Sequence, residues 1–142
     1  MSKSNTTEAG VLALLFQATT FAGLANDAST VPVASLYVGL HTADPGETGT
    51  QDTNEAAYTG YARVAVARTS SGFSINGSII TPVSNVNFPT STGTAATITH
   101  FSIGVTSTGT GTILYSGTVT PVVAISTGIA PILTSATTIT ED

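Results

Sequence analysis

The chain has 142 residues, 41% of them hydrophobic, which suits one domain with a real core and leaves little room for two independent ones. Charged residues make up 8%, against about 25% in an ordinary soluble domain. The net charge is −5, with Lys3, Arg63 and Arg68 the only Lys or Arg residues. Nucleic acid and anionic membrane surfaces both demand clustered Lys and Arg, so neither is a partner. With no Cys, disulfides and thiolate chemistry are also excluded.

Hydroxyl residues take the place of the missing charges: 28 Thr and 15 Ser. Thr is β-branched, and its hydroxyl suits the solvent face of a strand. A surface of hydroxyls and short apolar groups costs little to dehydrate against a partner. Lys, the residue that usually discourages edge pairing, occurs once. This composition reads as that of an assembly component.

In chain order, the first element is a helix. Asn5 is placed to cap it and Glu8, three residues on, to reach back to the cap. Val11, Leu14, Leu15, Ala18 and Ala22 share one face, with Leu12 and Phe16 widening the stripe. Gly23 or Asn26 can end it. The Ala9–Phe16 apolar run is far shorter than the roughly 20 residues of a membrane span. It follows Lys3 as a signal peptide would, but Glu8 precedes it and no clean cleavage site follows, so a helix is the better account.

From Val33 onward the hydrophobic period changes from 3.6 to 2. Leu36, Val38 and Leu40 point one way, and Tyr37, Gly39 and His41 the other. Tyr61–Arg68 and Thr99–Val105 alternate in the same manner. Shorter strands are expected at Gly72–Ile75, Ser78–Thr81, Asn85–Phe88, Thr112–Ser116, Thr118–Ile125 and Ile129–Thr134. Asn76-Gly77 signals a hairpin with positive φ at both central positions. Pro82, Pro89, Pro121 and Pro131 are confined to edges or strand ends. Short strands with frequent turns and no helix between them predict a mainly β chain, an antiparallel β-sandwich with one amino-terminal helix. The expected organisation is a single domain over 1–142, with an arm and helix at 1–27, the sandwich at 33–134 and a tail at 135–142.

The long irregular segment is Thr42–Tyr58, holding Asp44, Glu47, Asp52 and Glu55. A loop of this length in a small domain is functional or mobile. Its carboxylates lack the spacing of a calcium loop, so a solvated acidic loop is expected, and no metal or other cofactor is assigned. Thr106–Thr112, rich in Gly and Thr, reads as a flexible hairpin tip. A hydrolase needs a base, and only His41 and His100 could serve. Neither lies in a nucleophile elbow, both sit on alternating strands, and the plain reading is a half-exposed strand histidine. No catalytic residue is assigned and no enzyme is expected.

Particular strings carry a resemblance. Leu40-His41-Thr42-Ala43-Asp44-Pro45-Gly46-Glu47 and Tyr58-Thr59-Gly60-Tyr61-Ala62-Arg63-Val64 resemble a widespread family of tailed-phage virion proteins, and Val86-Asn87-Phe88-Pro89 and Thr99-His100-Phe101 resemble later blocks of it. In size and texture the chain is most similar to capsid cement proteins with a jelly-roll-like sandwich. That resemblance implies a homodimer or homotrimer on the outer face of the major capsid protein lattice, in a virion made in the host cytoplasm. The alternative within the same resemblance is a tail-fibre or other tail-associated receptor-binding module. For partner binding, Arg63 flanked by Tyr58 and Tyr61 is the candidate anchor, since Tyr and Arg are enriched at interface hot spots. Pairing of Arg63 with the acidic loop of its own chain is equally open.

Overall fold

The structure, a computed structural model, describes residues 3–21, 24–26, 28 and 32–141. In chain order its elements are α1 (Asn5–Gln17), β1 (Ser35–His41), β2 (Val64–Ala67), β3 (Phe73–Asn76), β4 (Ile79–Pro82), β5 (Val86–Asn87), β6 (Ala96–Gly104), β7 (Ile113–Ile125), β8 (Ile132–Leu133) and β9 (Ile139–Thr140). They gather into two compact units, each built from separated stretches of chain. One comprises residues 1–35, 66–85 and 134–142, the other 36–65 and 86–133. The fold is mainly β, with antiparallel sheets and one amino-terminal helix among the described residues, consistent with a β-sandwich. No helix among the described residues is long and apolar enough to cross a membrane.

In the first unit the cap of α1 is Ser4 and not Asn5. The Ser4 hydroxyl accepts from the Thr7 N–H at 3.3 Å, taking one of the amides the first turn leaves unsatisfied. The helix stops at Gln17, earlier than its apolar pattern suggests, with Ala18 left-handed at φ 52° and Thr19 N–H donating to Ala13 O. Tertiary partners explain the early stop. Arg68 donates from Nε to Leu15 O and from Nη2 to Leu14 O, and Gln17 Nε2 donates to Phe73 O. A guanidinium on the last carbonyls both satisfies them and opposes the negative end of the helix dipole. Of the expected apolar face, Val11, Leu14 and Leu15 are only half-buried and Ala18 is exposed, while Leu12 and Phe16 are the fully buried pair. Ala22 and Gly23 lie outside the described residues. Phe16 meets Phe73 of β3 edge-on, with ring centroids 5.0 Å apart.

The same unit carries a three-stranded sheet ordered β3-β4-β9. The β3–β4 hairpin turns at Gly77 and Ser78, one residue later than expected, because Asn76 stays in the ladder opposite Ile79. Positive φ is needed only at Gly77 (63°), the pattern of a two-residue turn with Gly first. Residues 135–142, expected as a tail, supply β9, whose Ile139 pairs with Ile80, both buried. Lys3 forms an ion pair with Glu141.

The second unit holds β1 from Leu36 onward, β6 and β7, neighbours in that order, and a two-stranded sheet, β5-β8. Val38 lies opposite Ile103 and Leu40 opposite Phe101, so these four buried side chains share one face. The two strands expected at 112–116 and 118–125 are one continuous β7 of 13 residues. Pro121 sits in it without breaking a central ladder, because β7 is an edge strand. The register also slips there: Ile98 faces Val123 while His100 faces Thr118. Pro82 ends β4, and Pro89 and Pro131 flank β5 and β8 as expected.

Candidate functional site

The other face of β1 and β6 begins as a row of small or polar residues: Gly39 opposite Ser102, His41 opposite His100, Tyr37 opposite Gly104. The segment 42–63 folds back over this row. Gly104 is what lets it approach, since a Cβ there would lie 2.2 Å from the Gln51 side chain. Gln51 is completely buried in consequence. Its Oε1 accepts from the Thr106 N–H and hydroxyl at 3.0 and 3.1 Å, and its Nε2 donates to Thr106 O at 3.3 Å.

Arg63 closes the arrangement. Its Nε and Nη2 donate to the two carboxylate oxygens of Glu55 at 2.6 and 2.7 Å, the two-pronged geometry that matches guanidinium to carboxylate. Its Nη1 donates to Thr106 O and its Nη2 also to Gly109 O, at 3.0 and 2.8 Å. Every guanidinium nitrogen is thereby engaged within the unit, and Arg63 is 8% exposed. Burial pulls its pKa down, but the hydrogen bonds and charge of Glu55 outweigh that and the net shift is upward. Tyr61 bridges sheet and loop, its hydroxyl donating to Glu55 Oε1 and accepting from Leu40 N–H. Burial pushes the Tyr61 phenol well above its ordinary pKa. Tyr58 is buried and donates to Pro89 O, and burial raises its pKa too. The Tyr61 ring lies edge-on to Tyr58 and stacks with Phe88.

The residues singled out as an anchor are therefore brought together, but as a clasp inside the unit. The own-chain pairing of Arg63 is the arrangement seen. The 42–58 segment is not simply a solvated loop: Asp44 and Glu47 are exposed, whereas Glu55 turns inward. Asp52 accepts from the Thr50 and Thr110 hydroxyls, which hold its pKa below the usual carboxylate range. The 106–112 tip, expected to be flexible, is tied down by Arg63, by Gln51 and by Gln51 N–H donating to Gly111 O. Among the described residues, no three His, Asp or Glu side chains gather as a metal site would require.

His41 is not half-exposed but fully buried. Its Nδ1 lies 2.8 Å from Thr53 O and its Nε2 2.7 Å from Ser102 Oγ. A carbonyl can only accept, so Nδ1 carries the proton and the Ser102 hydroxyl donates to Nε2. This Ser–His pair resembles a nucleophile and its base, but both residues are 0% exposed and the group orienting the ring is a carbonyl, not a carboxylate. Its work is to bind β1, β6 and the loop together. His100 is half-buried, its Nδ1 2.9 Å from its neighbour's hydroxyl, Thr99 Oγ1.

Burial holds the His41 pKa below its ordinary 6.5. The unfolded chain therefore binds a proton at this site before the folded chain does. Stability is whole above pH 6.5 and falls as pH drops from there towards the folded value. Thermal melts between about pH 7.5 and pH 5 should show this decline. His41→Gln, which keeps a donor and an acceptor, should flatten it; an unchanged slope would assign the decline to another group.

Gln51, Ser102, Thr106 and the two strand glycines were not singled out from the sequence. The available signal was the pair Gly39 and Gly104, small residues on the face opposite the apolar one, which leave room for something to lie on the sheet.

The chain is a structural protein of a tailed-phage virion. It belongs to the podophage GP4 fiber I protein gp80 family, whose model matches residues 2–140. No curated protein matches the chain significantly. The family description names a fibre, which agrees with the second of the two virion readings and not with the cement reading placed first.

Proposed function

We propose that the chain is a fibre subunit of the virion, tail-associated, that works by binding and assembly and not by catalysis. The observation that carries this is the family match over nearly the whole chain. The use of the reactive side chains supports it. Arg63, Glu55, His41 and Ser102 are all spent on holding a loop to a sheet, as a rigid building block requires. The Thr- and Ser-rich composition adds a surface that is cheap to dehydrate against other virion proteins.

Particles carrying a tagged copy, imaged by cryo-microscopy with a label on the tag, test the location. Label is expected on the tail. Label spread over the outer face of the head, at the spacing of the major capsid protein lattice, would overturn the fibre reading in favour of capsid cement.

A further inference from the structure

We propose that Asn76, at the end of the β3–β4 hairpin, is a spontaneous modification site, whose side-chain amide is lost to give aspartate and iso-aspartate at a rate set by opening of the hairpin end. This goes beyond the fibre reading and does not depend on it.

The chemistry needs a carboxamide, the main-chain nitrogen that follows it, and room to close a five-membered ring. Of the six Asn residues, only Asn76 is followed by Gly. A side chain on the following residue crowds the attacking nitrogen, and Gly has none. Asn76 is exposed, and neither its side chain nor the Gly77 N–H bonds to another described residue. A Cβ added at Gly77 would have nothing within 4 Å, so the turn is open there. The Gly77 nitrogen, giving up its proton to hydroxide, attacks Asn76 Cγ. The N–Cγ bond forms, the Cγ–Nδ2 bond breaks, and ammonia leaves with a proton taken from water. Water then opens the cyclic imide. Addition at the Cγ carbonyl gives aspartate, and addition at the main-chain carbonyl reroutes the chain through Cγ as iso-aspartate.

The sheet restrains this reaction. Asn76 stays in the ladder opposite Ile79, and extended backbone turns the Gly77 nitrogen away from the Asn76 side chain. The ring closes only once Asn76 leaves the ladder. That opening is small. β3 lies at the edge of its sheet, so Asn76 has a strand partner on one side only. In a two-residue hairpin the closing pair is hydrogen-bonded and the next pair, here Ile75 with Ile80, is not. Only the two bonds of the closing pair must break, a local fraying far cheaper than global unfolding. The other arm is held more firmly. Ser78 O accepts from the Glu141 N–H, and Ile79 pairs with Thr140 of β9.

The products change the hairpin. Either one adds a negative charge to Thr69–Thr140, a stretch without Asp, Glu, Lys or Arg, on a chain already at −5. Iso-aspartate also inserts an extra main-chain atom just before the turn, which a two-residue connection absorbs only by losing the Asn76–Ile79 pair. An aged molecule therefore carries a different hairpin end from a new one.

The full chain, held for weeks in mildly alkaline buffer and then digested in acid, should show the amide-to-acid mass change at Asn76, mostly as iso-aspartate. Asn85 and Asn87, followed by Val86 and Phe88, should stay intact. Asn76→Gln, which must close a six-membered ring, should also stay unmodified at that position. In guanidinium-unfolded chain Asn76 should react roughly 10- to 100-fold faster than in the folded chain, the factor expected for two net hydrogen bonds. Modification at Asn76 no faster than at Asn85 or Asn87 overturns the site. Equal rates in folded and unfolded chain overturn its control by the hairpin.

Discussion

Arg63→Ala should cost about 3–5 kcal/mol of folding stability, the range for removing one partner of a buried ion pair. The Arg63 side chain is 1% exposed and that of Glu55 18%, so water cannot easily replace what is lost. The truncation strips Glu55 of both guanidinium bonds and removes donors from Thr106 O and Gly109 O. Unsatisfied groups left in the interior are the expensive part of such a change. Arg63→Lys should fall between, because an ammonium keeps the charge but not the fork. Urea unfolding measures this as a lower midpoint at an unchanged slope. A loss below about 1 kcal/mol would be that of an ordinary surface pair and would mean the clasp is not closed in solution. Paired with Glu55→Ala in a double-mutant cycle, the two changes should be strongly non-additive, because the second removes a partner already orphaned.

That prediction turns on a distinction the sequence leaves open. Tyr58, Tyr61 and Arg63 are equally good as exposed anchors or as an internal clasp, since hot spots and buried networks draw on the same residue types. Nothing local to 58–63 decides between them. What decides is Gly104, more than forty positions away, whose missing side chain admits Gln51 and draws the loop onto the sheet. Long-range register of this kind is not written in periodicity. The strands themselves were legible, because alternation is a local property: β1, β3 and β4 lie within one residue of where their patterns place them, and β6 ends one residue early but begins three residues sooner than its pattern shows. The hairpin at 76–78 was found and misplaced by one residue, since Gly fixes a positive φ but not whether it stands first or second in the turn. β9 was missed because a two-residue strand is too short to show a period.

The helix shows the same limit most clearly, and it carries the second large effect. Residues 9–16 are apolar almost all round, so the choice of buried face falls to tertiary packing, which selects Leu12 and Phe16. At 13 residues α1 is marginal on its own in water. Its helicity must be supplied by what it packs against: Phe73 under Phe16, Arg68 on the Leu14 and Leu15 carbonyls, and the Gln17 amide on Phe73 O. Phe16→Ala should accordingly cost about 3–5 kcal/mol, transfer and cavity terms together. Because the helix cannot persist without its docking, the loss should appear in circular dichroism near 222 nm at temperatures where the β signal survives. Arg68→Met keeps the aliphatic packing but removes the charged donors from the helix end, and should lower the helical signal in the same direction by a smaller amount. If Phe16→Ala left the helical signal intact up to the wild-type melting temperature, α1 would be held by something other than Phe73. The assignment of Leu12 and Phe16 as its buried face would then be wrong.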